Sequence, residues 1–135
     1  MPTFLTKKIL ISGPESSGKT TLTRQLAQHF DCPSQPEYAR EYLSQLGRAY
    51  TIADLTTILL EQQQRLATAL VAKPPLIICD TGPEVLYIWS KVKYQQVAPE
   101  IRKQLDRQHY DLRLICFPDL TWEADPLREA PRPDD

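Results

Sequence analysis

Residues 11–22 read ISGPESSGKTTL, and the spacing inside that stretch decides the fold class. Gly13 and Gly18 stand five residues apart, and Lys19 and Thr20 follow the second glycine directly, which is the GxxxxGK[ST] spacing of a phosphate-binding P-loop. Such a loop needs a strand before it and a helix after it, so that backbone amides converge on an anion at a helix start. Both flanks meet that demand. Residues 7–12 (KKILIS) form a short apolar run with β-branched residues, suited to a strand buried on both faces. From Lys19 onward, Leu22, Leu26 and Phe30 recur at near-helical spacing.

The chemistry follows from residue type. Glycines let amides approach an anion closely and the helix start adds its positive end, so Gly13, Glu15, Ser16, Ser17, Gly18, Lys19, Thr20 and Thr21 form the expected polyphosphate cradle. Within it, Lys19 reaches the terminal phosphates and the Thr20 hydroxyl ligates magnesium. The competing reading is a Gly-rich turn before an ordinary helix, with Lys19 a solvated charge.

Composition narrows the partners. A chain of 135 residues is expected to bury one core, and no linker-like stretch divides it, so residues 1–135 read as a single domain. The formal net charge is −1 with basic residues dispersed, which lacks the electrostatic footprint of a nucleic-acid binder. Small molecules are the expected partners. Cys32, Cys79 and Cys116 are far apart and two lie in strand-like apolar runs, a pattern of buried inert thiols that suits a reducing, cytoplasmic setting. His29 and His109 are isolated and lack metal-ligand spacing. No apolar run approaches the roughly 20 residues of a membrane helix, so a soluble protein with no membrane partner is expected.

Further along, residues 31–36 (DCPSQP) have room for a turn or a brief strand only, and EYAREYL from Glu37 reads as a short helix ending near Gly47. Thr51 to Asp54 resembles a capping box. It opens a long helix with Ile52, Leu55, Leu59, Leu66 and Leu70 on one face and Gln62, Gln64 and Arg65 on the other, stopped by Pro74-Pro75. Residues 76–79 form a second apolar strand ending at Asp80, helical patterns follow in PEVLYIWSKVKY and VAPEIRKQLDRQ, and residues 112–117 form a third strand ending before Asp119. Alternating apolar strands and amphipathic helices imply an α/β fold with a parallel sheet covered on both faces, and ligands in such sheets bind at the strands' carboxyl ends. Gly13, Asp80 and Asp119 all fall there. Asp80 suits a residue that holds magnesium through water, and equally a cap for the next helix.

The segments PESSGKT, PEYAREYL, DTGPEVLYIWSKV and TWEADPLRE together resemble the ribosylnicotinamide kinase domain of NadR-type proteins, P-loop kinase-like members of the AAA group, from about residue 7 to the end. The resemblance implies a three-layer P-loop fold of the kinase type with the strand before the loop beside the Asp80 strand. It also implies ATP with Mg2+, a nucleoside acceptor and an ATP-dependent kinase, most specifically one converting nicotinamide riboside to nicotinamide mononucleotide. Lys19 and Thr20 match the family's phosphate and magnesium positions, Asp80 its acidic strand end, and Arg128 in WEADPLR the arginine of a lid over ATP. Glu37, Tyr38 and Arg40 match the segment facing the acceptor.

Phosphoryl transfer needs positioning and charge stabilisation, so Lys19, Glu37, Asp80 and Arg128 are the expected catalytic set, with Glu37 aligning or deprotonating the attacking hydroxyl. Glu37 is also compatible with a surface acid at a helix start, and Arg128 with a solvated charge beside Glu129. Tyr38, Tyr87 and Trp89 suit walls for a cationic ring, and each equally suits the core or its rim. The alternative function is a regulatory switch that binds ATP or GTP without kinase activity.

Two departures from the family shape the expectations. Only six residues precede the first strand and no HxGH-like histidine pair exists, so the adenylyltransferase activity found in many NadR-type proteins is expected to be absent. The family continues past its lid with a helix and a strand, whereas this sequence reaches its last residues at Pro133-Asp134-Asp135. The domain is therefore expected to lack its C-terminal strand and helix, to bind ATP more weakly, and to self-associate through the exposed edge of residues 112–117.

Overall fold

The apolar runs of residues 7–12 and 76–80 lie side by side as parallel strands, and everything at the loop is set by their register. The computed structural model describes residues 5–14 and 17–117. In chain order the elements are β1 (Lys7–Ser12), α1 (Lys19–Phe30), β2 (Ser34–Gln35), α2 (Tyr38–Leu46), α3 (Ile52–Leu70), β3 (Leu76–Asp80), α4 (Glu84–Tyr94), α5 (Pro99–Arg107) and β4 (Leu112–Ile115). Among the described residues the sheet runs β2-β3-β1-β4, all parallel, with Lys7 opposite Leu76 and Ile11 opposite Asp80. This is the α/β P-loop kinase arrangement, with the loop strand beside the Asp80 strand.

Strand alternation sorts the faces. Leu10, Ile77 and Cys79 pack with Leu66, Ala69 and Leu70 of α3 and with Tyr110. Ile11, Ile78 and Asp80 point the other way, toward α1, to which Asp80 is hydrogen-bonded. A second buried cluster joins Leu55, Ile58 and Leu59 of α3 to Ala39, Leu86 and Ile101, so α3 carries α2, α4 and α5 on its outer half. Each fully buried Leu or Ile contributes roughly 1.5–3 kcal/mol relative to exposure, which makes α3 the chief support of this layer. Burial pushes the Cys79 thiol up to about 11, so it packs as a neutral group.

Some local expectations shift. The brief strand falls on Ser34–Gln35, within the residues 31–36 that left room for one, and β4 ends at Ile115 rather than at residue 117. Phe30, placed by spacing with Leu22 and Leu26, stands 51% exposed with the His29 ring edge-on to it at 4.8 Å. On α3, Gln62 is not on the solvent side but half-buried beside β3. Leu112, Ile115 and Phe117 are all exposed, and β4 pairs with β1 alone among the described strands. Glu15, Ser16, Asp119, Arg128 and the tail lie outside the described residues.

The junction between α2 and α3 is held by one carboxylate. Asp54 accepts from both Arg48 guanidinium nitrogens at 2.9 and 3.0 Å, from the Tyr42 hydroxyl at 2.6 Å, and from the Thr51 amide at 2.7 Å. It is 4% exposed. The Arg48 hydrogen bonds, aided by those of Tyr42 and Thr51 and opposed by burial, hold its carboxyl well below the usual carboxylate range. A depressed folded pKa adds stability that is complete above the unfolded value near 3.9 and is lost as pH falls through the folded one. Asp54→Asn is therefore expected to cost about 1–3 kcal/mol at pH 7 in urea unfolding. That gap should narrow as the pH is lowered below about 4; a gap of constant size down to pH 2 would remove the charged network from the account.

Candidate active site

Where β1 ends, the chain must turn away within one residue, and Gly13 does so at φ 133. A Cβ at Gly13 would come within 2.5 Å of the Cys116 carbonyl oxygen, so both the turn and the neighbouring backbone require glycine. The Cys116 amide in turn donates to the Ser12 carbonyl at 2.9 Å, which pins the loop's first residues to the strand beyond. Gly18 caps α1 without a side chain and no acid lies in its first turn, so the amides and positive end of that helix stay available to an anion.

Lys19 is buried in the loop. Its Nζ donates to the Gly13 carbonyl at 2.7 Å and lies 3.5 Å from that of Pro14, which arches the ammonium back over the loop. Ser17 closes the same arch with a 2.5 Å bond from its hydroxyl to the Pro14 carbonyl. The reading of Lys19 as a solvated charge does not fit this burial.

Asp80 faces the loop from the end of β3. It is 2% exposed, and its two oxygens accept from the hydroxyls of Thr20 at 3.0 Å and Thr81 at 3.1 Å. It is not a helix cap, since α4 begins behind Pro83. Thr81 holds φ 67, a left-handed conformation that costs a β-branched residue on the order of 1–3 kcal/mol, and its amide is fixed by the Ile11 carbonyl at 2.8 Å. Thr20 and Asp80 are the residues that would hold magnesium here, Thr20 through its hydroxyl and Asp80 through water. No group of three or more His, Cys, Asp or Glu is placed to hold a metal among the described residues. Magnesium, which takes one or two protein oxygens plus phosphates, does not need one.

One contact escaped the sequence reading. Glu84, in the first turn of α4, accepts from the Ser12 hydroxyl at 3.1 Å and the Gly82 amide at 3.0 Å, tying β1 to the segment after Asp80. The acid two residues after the Asp-Thr-Gly turn was its only sequence signal.

The remaining expected positions lie around this centre. Glu37 is the N-cap of α2 and half-buried, and Arg40 is exposed on the next turn. Tyr38 carries the Arg65 guanidinium over its ring at 4.2 Å, and Arg65 is bonded to Glu41 and Glu61. Tyr87 and Trp89 pack partly buried against the outer cluster of α3, Trp89 beside Tyr50 at 6.1 Å. Loop, Lys19, Thr20 and Asp80 thus come together, while Tyr87 and Trp89 are turned to the core.

The family model described as "AAA domain" matches residues 8–135. The chain belongs to this AAA domain family. Among curated relatives of this domain are the trifunctional NAD biosynthesis/regulator proteins NadR of Salmonella typhimurium and Escherichia coli, each 30% identical over 129 residues, 93% of this chain and 32% of theirs. The chain spans about a third of the length of these relatives. A NadR protein solved in complex with NR matches 87% of the chain and 35% of its own, at TM-score 0.72 and 27% identity. A NadR protein with NAD and AMP-PNP matches at TM-score 0.68 and 27% identity, over 82% of this chain and 34% of its own. A thymidylate kinase of Ehrlichia chaffeensis, at 18% identity and TM-score 0.57 over 83% of this chain and 71% of its own, shares the fold. This AAA domain is a nucleotide-binding, kinase-like domain, and no described helix is long and apolar enough to cross a membrane.

Removing the Lys19 ammonium should matter more than its volume. Lys19→Ala is expected to cut nucleotide turnover at least about a hundredfold, the scale of losing one preorganised charge-stabilising donor. Asp80→Asn should weaken the magnesium dependence of turnover and leave the melting temperature within a few degrees, since the amide still accepts from Thr20. A normal magnesium response with a large fall in melting temperature would make Asp80 a structural residue.

Proposed function

We propose that this domain transfers the γ-phosphoryl group of ATP to the 5′-hydroxyl of nicotinamide riboside, forming nicotinamide mononucleotide, in the cytoplasm. The observation that carries the reading is the match to a NadR protein in complex with NR over 87% of the chain, supported by a loop lysine bonded to the Gly13 carbonyl and a Thr20 hydroxyl bonded to Asp80 at the end of β3. The NadR structure with AMP-PNP supports ATP as donor.

In this reading the acceptor oxygen forms a bond to the γ-phosphorus as the bridging bond to ADP breaks, with the hydroxyl proton leaving to a carboxylate. Lys19 leaves the Gly13 carbonyl for the phosphates and neutralises charge on the transferred group. Thr20 and Asp80 would hold Mg2+, which supplies further charge neutralisation between the phosphates. Glu37, at the start of α2, aligns the hydroxyl and accepts its proton, with Tyr38 and Arg40 beside it. Arg128 would close over the donor. Tyr87 and Trp89 would contribute through the layer that supports α4.

Acceptor dependence tests this directly. ADP should form from ATP only when nicotinamide riboside is present. Glu37→Gln should keep AMP-PNP affinity within about twofold and lose two orders of magnitude or more in transfer, the scale of general-base catalysis. Steady hydrolysis of ATP or GTP that ignores every nucleoside would favour a switch, and unchanged acceptor kinetics in Glu37→Gln would assign the proton to another group.

A further inference from the structure

The start of α2 carries Glu37, so whatever fixes that start bears on the hydroxyl Glu37 would align. Its own sequence fixes it weakly. α2 has nine residues, below the roughly 12–15 under which an isolated helix is marginal in water, and no side-chain bond caps its first turn. Its placement must come from what it packs on. Ala39 is buried with Leu55, Ile58 and Leu59 of α3, and toward the far end Tyr42 donates to Asp54 at 2.6 Å.

The near end is held by one side chain of α3. Arg65 Cζ stands 4.2 Å from the centre of the Tyr38 ring, Nη1 donates to Glu41 at 3.1 Å, and Nε donates at 3.0 Å to Glu61, one turn back on α3. Tyr38 and Glu41 lie three residues apart on one face of α2, so a single planar group touches that helix at two points a turn apart. Glu61 meanwhile ties the same group to its own helix. Two points set the rotation of α2 about its axis as well as its distance from α3, and Glu37 is the residue immediately before the first of them. A guanidinium does this by stacking with its face and bonding carboxylates with its edge, whereas an ammonium is a point charge.

Stability is the smaller part of this arrangement. The side chains of Arg65, Glu41 and Glu61 are 41, 50 and 43% exposed, and ion pairs so exposed contribute little to folding. Their effect is on placement. We infer that Arg65 is a positioning residue for phosphoryl transfer: by holding Tyr38 and Glu41 it sets where Glu37 stands toward the acceptor hydroxyl, with Tyr38 as the anchor of α2. This inference rests on Glu37 as the carboxylate that takes the acceptor's proton, and adds the residue through which α3 places it.

A double-mutant cycle with ATP and nicotinamide riboside separates the claims: wild type, Arg65→Gln, Glu37→Gln and the double variant, with AMP-PNP affinity by calorimetry and melting temperature as controls. Arg65→Gln should lower kcat about threefold to tenfold, the scale of one exposed cation–π contact together with one ion pair, and leave the KM for ATP and the AMP-PNP affinity within about twofold. Arg65→Lys, which keeps the charge and loses the fork, should recover part of that kcat. In the Glu37→Gln background Arg65→Gln should cost nothing more, since a residue that acts through Glu37 has nothing left to place. Losses that multiply in the double variant overturn the inference and leave Glu37 as the base. So does an Arg65→Gln chain that keeps full kcat, or one whose AMP-PNP affinity falls as far as its kcat. Undiminished transfer in Glu37→Gln, or no transfer to nicotinamide riboside by wild type, overturns the underlying reading and this inference with it.

Discussion

The 3.0 Å hydrogen bond from Thr20 to Asp80 is the contact on which the rest of this domain is organised. It joins the first turn of α1 to the last residue of β3, two elements sixty residues apart, and it exists only because Ile11 and Asp80 are in register. A one-residue slip between these strands would turn Asp80 to the α3 face and place Cys79 toward the loop. The continuous apolar character of β1 and β3 supplies the burial that holds the register. The polar ends of both strands supply the chemistry.

Asp80 is satisfied by hydroxyls, which occupy its lone pairs without cancelling its charge. A guanidinium would bind it more firmly, as Arg48 binds Asp54, and would leave it less able to hold a cation. The two buried carboxylates thus serve opposite ends: Asp54 is neutralised to close a helix junction, and Asp80 is kept as a negative oxygen beside a phosphate loop. The left-handed Thr81 belongs with the second use. Its unfavourable conformation is held by the Ile11 carbonyl and brings a second hydroxyl onto Asp80, strain at a site rather than in a support.

Much of this was legible in the sequence because it depends on short-range pattern. The P-loop spacing, the apolar runs ending at Ser12 and Asp80, the capping-box signal at Thr51 and the Pro74-Pro75 stop each state a local structure, and strand adjacency followed from the family resemblance. What escaped depends on long-range geometry. Arg48 reaching Asp54, Arg65 covering Tyr38 and Glu84 reaching Ser12 are choices of rotamer and approach that no periodicity records. Gln62 was assigned to solvent because glutamine usually faces water, yet α3 brings it against β3. Glu37, Arg40 and Arg128 rest on the resemblance, and the last lies outside the described residues.

The misplaced glutamine exposes a feature of the core itself. Along α3, Leu55, Ile58 and Leu59 belong to one buried cluster and Leu66, Ala69 and Leu70 border another, with Gln62 and Gln63 between them. A domain selected for stability alone would close that gap, since leucine at Gln35 would add apolar burial and remove an unpaired amide. The gap is closed neither by residue size nor by polar pairing, and it lies at the carboxyl ends of the strands, where sheets of this type bind ligands. Apolar packing is continuous toward the amino ends of the strands and gives way to glutamines, Thr81 and Gly82 toward the loop. The same helix therefore anchors the sheet with one half and, with its middle turn, borders the space in which polar groups remain unmatched.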